Sequence, residues 1–105
     1  MATINVNEAD LPSLLESNKV VVLDFWAPWC APCKQFGPIF EDVSEEHEEV
    51  VFAKVNTDDN RGIIEQFNIK SIPTVAVVKN GEVVYNEAGA MNELSFDMLV
   101  RMLKD

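Results

Sequence analysis

Apolar positions along the chain follow two different periods. "KVVVLDFWA" (Lys19 to Ala27) is a continuous apolar run broken by one acid, Asp24, which is how a strand buried on both faces reads. From Cys33 onward, Phe36, Ile39, Phe40 and Val43 take the i, i+3, i+4, i+7 spacing of a helix face. Pro38 falls inside that helix and is expected to kink it. Upstream, a short strand over Thr3 to Val6 precedes a helix with Leu11, Leu14 and Leu15 on one side. Asn7 or Asp10 can cap that helix, and Pro12 suits the first turn of the later start. Downstream, "VVFAKVN" (Val50 to Asn56) predicts a third strand, and Asp59 or Asn60 can cap a short helix ending near Phe67. "TVAVVKNGEVVYNE" predicts a hairpin, with Asn80-Gly81 supplying the positive φ of a type I′ turn. A last helix runs from about Asn92 to Leu103. Leu99, Val100 and Leu103 line its apolar side, and Met91, Met98 and Met102 are expected to serve in its packing and not as a binding surface.

The resulting order is β-α-β-α-β-α-β-β-α. The first part implies parallel strands joined by right-handed crossovers, and the last two strands are antiparallel. An α/β fold follows, with three layers and a central mixed five-stranded sheet between helices. No repeat, linker or low-complexity stretch interrupts the 105 residues, so residues 1–105 are expected to form one domain.

The formal charge of −10 argues against a nucleic-acid binder, because phosphates would be repelled, and weakly favours basic or neutral partners. The opening "MATINVNEAD" has neither a basic stretch nor an apolar core of a signal peptide, and no apolar run approaches a membrane span. A cytoplasmic protein with no membrane role is the expectation. "EDVSEEHEEV" holds six acids in ten residues. Glu41, Glu45 and Glu49 would stack as like charges on a solvated helix face, with His47 exposed among them.

Only two cysteines are present, Cys30 and Cys33, and both lie in "FWAPWCAPCK". A bridge between them closes too small a loop to act as a staple. A structural metal needs about four ligands, and this chain offers two cysteines and one distant histidine, so no metal site is expected. A CxxC beside a βαβ pattern points to redox chemistry instead. With Cys30 at a helix N-cap, Ala31, Pro32 and Cys33 become the first helical residues. The Cys33 N–H then aims back at the Cys30 sulfur. That bond and the positive helix end both lower the pKa of Cys30. Cys33, one turn further in, is within disulfide reach and can resolve. Asp24, in the middle of an apolar strand, is a candidate buried acid with a raised pKa that can carry a proton for Cys33. The alternative is a strand-end carboxylate that sees solvent.

"DFWAPWCAPCK", "KVNTDDN", "SIPT" and the "GA" after the hairpin resemble the thioredoxin family, in order and spacing, over essentially the whole chain. The resemblance implies the thioredoxin fold and a general protein-disulfide reductant, with no bound cofactor beyond the reversible Cys30–Cys33 disulfide. It makes Cys30 the exposed attacking thiol, Cys33 the resolving thiol, Asp24 the buried acid and Lys54 its neighbouring lysine. Pro73 matches the family's cis-proline facing the sulfurs. Trp29, Ile72, Pro73, Gly89 and Ala90, with Ala31 and Pro32 of the motif, match the apolar rim that binds an extended substrate segment. The implied partners are disulfide-containing proteins and a thioredoxin reductase as electron donor, and the chain is expected to be monomeric. Ala31 departs from the family's usual glycine, which leaves open the balance between dithiol and disulfide. Two other readings remain: a binding module using the same rim without turnover, and an oxidant or isomerase running the chemistry in reverse. Trp26 is expected to pack beneath the site and Trp29 to lie at its rim.

Overall fold

The computed structural model describes residues 2–105. Its elements run β1 (Thr3–Asn5), α1 (Leu11–Ser17), β2 (Val20–Trp26), α2 (Ala31–Glu45), β3 (Val51–Asn56), α3 (Arg61–Gln66), β4 (Thr74–Lys79), β5 (Glu82–Ala88) and α4 (Glu93–Leu103). The five strands form one sheet in the order β1-β3-β2-β4-β5. β1, β3 and β2 are parallel, and β4 and β5 are antiparallel to their neighbours. The expected mixed sheet is thus present, with each element within a few residues of its predicted span.

Strand alternation divides the core. Val21, Leu23 and Phe25 of β2 pack with Leu11, Ile63 and Phe67 on the side of α1 and α3. Val20 and Val22 face α2 and α4, together with Phe36, Phe40, Phe52 and Phe96. Those four rings are fully buried. Phe40 stacks on Phe96 at 5.7 Å between centroids and meets Phe52 edge-on at 5.4 Å. Such pairings add about 0.5–1.5 kcal/mol each beyond the area they bury.

The hairpin forms as expected, with Asn80 at φ 53° and Gly81 at φ 81°. Its partner β5 is an edge strand. The register slips between Val77 and Val78, so Val84 is the extra residue of a bulge and is exposed along with Val83. Asn60 does occupy the N-cap of α3, but its side chain makes no capping bond. Its amide instead accepts from the Glu8 N–H and donates to the Asn56 carbonyl, tying α3 to both neighbouring loops. Asp10 is likewise the N-cap residue of α1 without a side-chain bond, and Pro12 lies in the first turn.

The acidic segment differs from its sequence reading. α2 ends at Glu45, so Glu49 is not stacked with Glu41 and Glu45. Glu41 accepts from the Thr3 hydroxyl at 2.6 Å, fastening β1 to α2. His47 is not exposed: it is 1% accessible. Its Nε2 lies 2.7 Å from Asp97 Oδ1 and its Nδ1 3.0 Å from Lys104 Nζ. An ammonium can only donate, so Nδ1 is the acceptor and Nε2–H donates to Asp97. Lys104 reaches on to Glu49 at 2.6 Å, and Arg101 to Asp97 at 2.7 Å. The cause of the burial is the return of α4 across the turn between α2 and β3. Met98 and Met102 also differ. Both are exposed, at 57% and 72%, because Phe96, Leu99, Val100 and Leu103 supply the side of α4 that faces the sheet.

The ring cluster gives a direct test. Phe40→Ala is expected to cost about 3–5 kcal/mol, the range for truncating a buried aromatic ring. In urea unfolding the midpoint should fall while the slope holds. A loss below ~1 kcal/mol would mean that the rings are not the anchor of this layer.

Candidate functional site: a helix-capped disulfide above a buried carboxyl

β2 runs out at Trp26, and the chain crosses a short turn in which the Cys30 N–H donates to the Ala27 carbonyl at 3.2 Å. Cys30 then caps α2 in an extended conformation, and its Sγ accepts from the Cys33 N–H at 3.2 Å. Sulfur here fills the role that a serine or aspartate oxygen usually plays at a helix start. Pro32 occupies the first turn, where its missing N–H breaks no bond. Cys30 and Cys33 are joined by a disulfide, with Cα atoms 5.3 Å apart.

The resemblance implied an exposed attacking thiol, yet Cys30 as a whole is 5% accessible and Cys33 4%. The reason is packing: both cysteines form a small cluster with Ala27, flanked by Trp26 and Ile72. The Cys30 sulfur also lies 3.9 Å from the Ile72 carbonyl oxygen. The Ile72–Pro73 bond is cis. The Pro73 carbonyl accepts from the Gly89 N–H at 2.8 Å, so the Gly89–Ala90 turn is fastened beside the proline. Gly89 has φ 112°, which a side chain would strain. Ala31, Pro32, Gly89 and Ala90 are exposed, and Ile72 is half-buried. Trp29 is 69% exposed. Its indole N–H donates to Asp58 Oδ1 at 3.0 Å. Sequence reasoning did not single out Asp58, and the only signal for it was its place in "KVNTDDN".

Asp24 pairs in register with Lys54 of β3 and Val75 of β4, at the centre of the sheet. By alternation it points to the face covered by α2, whose first turn holds Cys33. It is 1% accessible, and neither carboxyl oxygen has a hydrogen-bond partner among the described residues. The reading of a solvent-facing acid is therefore excluded. Burial raises its pKa from 3.8 to about 7, and the positive charge of Lys54 offsets part of that rise. Lys54 acts through its field, without a hydrogen bond to the carboxyl. Its ammonium sits 4.9 Å over the ring of Trp26, an arrangement that holds a cation near a desolvated site. Trp26 packs under the cysteines as predicted.

Among the described residues, no cluster of three or more histidines, cysteines or acids is arranged to hold a metal ion. Nor is any helix long and apolar enough to cross a membrane.

The thioredoxin family profile matches residues 2–104. A thioredoxin from Haemophilus influenzae is 40% identical over 90 residues, 84% of each chain. Thioredoxin 1 from Plasmodium falciparum is 37% identical over 100 residues, covering 95% of each. A solved structure of Plasmodium falciparum thioredoxin superposes with a TM-score of 0.88 at 36% identity, covering 96% of this chain and 98% of that one. The chain belongs to the thioredoxin family. Its fold is the thioredoxin fold, and with its redox-active cysteine pair it is a thiol–disulfide oxidoreductase.

The buried acid makes stability depend on pH. Its folded-state pKa lies above 3.8, so the folded chain holds this proton more tightly than the unfolded chain does. That contribution is whole below about pH 3.8 and is lost as pH rises through about 7. The full loss is on the order of 4 kcal/mol. Asp24→Ala should therefore raise the unfolding free energy of the oxidised chain at pH 8 by roughly 2–4 kcal/mol. It should also flatten the decline between pH 4 and 8, read by urea unfolding across a pH series. An unchanged decline would show that Asp24 does not titrate as a buried acid.

Proposed function

We propose that this chain, residues 1–105 acting as one domain, is a general protein-disulfide reductant. The observation that carries the reading is the Cys33 N–H held 3.2 Å from the Cys30 sulfur at a helix start. After reduction this bond and the helix dipole favour the thiolate at Cys30 over one at Cys33. Cys30 attacks a substrate disulfide, forms a mixed disulfide and expels one substrate thiolate. Cys33 loses its proton to the Asp24 carboxylate, attacks the Cys30 sulfur and expels the second substrate thiolate. With a pKa of about 7, Asp24 is suited to take and return a proton near neutral pH. Lys54 keeps that value from rising further.

The rim of Trp29, Ala31, Pro32, Ile72, Pro73, Gly89 and Ala90 receives an extended substrate segment. The Pro73 carbonyl is occupied by the Gly89 N–H, so the backbone of Ile72 is the edge that pairs with substrate. A thioredoxin reductase returns the electrons, and no bound cofactor takes part. We place the chain as a monomer in a reducing cytoplasm, where such a donor operates.

Three measurements test this reading. Cys33→Ser should trap a mixed disulfide through Cys30, while Cys30→Ser should trap none, as seen by non-reducing gel and mass spectrometry. Trapping through Cys33 would reverse the assigned roles. Asp24→Asn should slow release of the mixed disulfide tenfold or more at pH 7, in keeping with loss of a general base. Equilibration against glutathione should give a reduction potential below about −230 mV, under the glutaredoxin range. A value near about −180 mV, that of disulfide isomerases, would overturn the reductant in favour of an isomerase.

A further inference from the structure

Seven large apolar side chains are exposed among the described residues, and three of them share one helix: Leu94 (70%), Met98 (57%) and Met102 (72%). They recur every four residues, so each is turned about 40° from the last and the three span about 80° of the circumference. Phe96 and Val100 lie on the opposite side and are buried against the sheet. The outward side of a surface helix is ordinarily polar. Here it is an apolar stripe of flexible, adaptable side chains.

The first residue of the stripe, Leu94, also lines a groove of about 440 Å³ between α2 and α4, while Met98 and Met102 lie outside its lining. The other charged lining groups are Asp42, Glu45, Glu46, Glu93 and Asp97, against Arg101 alone. Asp97 and Arg101 are bonded to each other, and among the described residues the four remaining carboxylates have no ion pair of their own. That pairing of surfaces selects an occupant. A second copy of the chain would bring an equally acidic groove against this one, because a two-fold contact sets the same patch on itself. Anionic lipid headgroups and nucleic-acid phosphates are repelled by a chain of charge −10. A protein segment with an apolar face flanked by lysine or arginine satisfies both features at once.

We propose that the α2–α4 face is a docking surface for a basic amphipathic helix of a partner protein, with Leu94, Met98 and Met102 receiving its apolar side. The surface follows the redox rim closely along the chain. β5 pairs Ala88 with Thr74, next to Pro73, and α4 starts five residues later at Glu93. A partner held here is tethered near Cys30, which raises the effective concentration of its disulfide without any new contact at the sulfurs.

The test uses the full chain with its four methionines labelled as ¹³C-methyl groups. The probe is a synthetic peptide of about 16 residues, long enough to hold a helix, with leucines along one face and lysines beside them. One control has the same composition with the leucines scattered, and a second replaces the lysines with glutamates. The expected result is saturable movement of the Met98 and Met102 methyl signals, with Met91 unmoved. Affinity should fall at least tenfold for the scattered peptide and vanish for the acidic one. It should also fall at least tenfold in Leu94→Ser/Met98→Ser and in Glu45→Lys/Glu46→Lys. These surface variants should retain the parent's rate on a small disulfide, which separates failure of docking from failure of the redox reading. Equal binding of the scattered peptide would overturn the proposal, because charge alone would then account for it. So would movement of Met91 without Met98, or absence of saturable binding. Methyl shifts that follow protein concentration without peptide, and disappear in Leu94→Ser/Met98→Ser, would assign the face to a second copy and equally overturn it.

Discussion

A carboxyl group without a hydrogen bond is costly inside a sheet, and β2 carries one at its centre. Asp24 sits between Lys54 and Val75, 1% accessible, with neither oxygen partnered among the described residues. In its neutral form the group loses hydration, and in its charged form it loses far more. The protein tolerates it because the surrounding layer is well filled. Phe36, Phe40, Phe52 and Phe96 pack on the same face of the sheet, with no exposure. Lys54 supplies a compensating field from the adjacent strand while its ammonium stays over Trp26. Desolvation outweighs that field and leaves the carboxyl with a pKa of about 7, so both protonation states are within reach near that pH.

The second dependence is local. One geometric fact separates the cysteines: the first caps a helix and the second lies inside it. In the proposed mechanism the helix supplies both the N–H and the dipole that favour a thiolate at the first. The turn from Ala27 to Cys30 fixes this arrangement by ending the buried strand just short of the cap. The fold and the reactive pair are thus coupled at one strand-to-helix junction.

Much of this was legible from residue order. β2 was legible as an apolar run, the acid within it was conspicuous for being there, and Cys30 could be supposed a cap because a buried strand ends and a helix begins at it. Each of those inferences rests on neighbours close in the chain. The errors came where contacts are distant. His47 looked like one polar residue among glutamates, but its partners Asp97 and Lys104 are 50 and 57 positions away. Asp58 finds Trp29 across 29 positions. α4 was read with Leu99, Val100 and Leu103 on its apolar side and Met98 and Met102 in its packing, yet both methionines are exposed and Phe96 is buried. Helical period alone does not choose the buried side. The choice is made by which side meets the rings of α2 and β3.

Ala31, the departure from the family's usual glycine, can now be placed. It is the first residue of α2, already helical and exposed to solvent. Alanine at a helical position stabilises a fold by about 0.4–1 kcal/mol over glycine, mainly by restricting the unfolded chain. A reduction potential responds only to the difference between the oxidised and reduced folded states. A restriction of the unfolded chain is common to both and cancels from that difference. The methyl group therefore alters the potential only to the extent that the first turn of α2 changes conformation when the disulfide opens. The cap bond from the Cys33 N–H opposes such a change, because a thiolate accepts it more strongly than a disulfide sulfur does. On this argument Ala31 tunes stability and the shape of the substrate face first, and the direction of electron flow last.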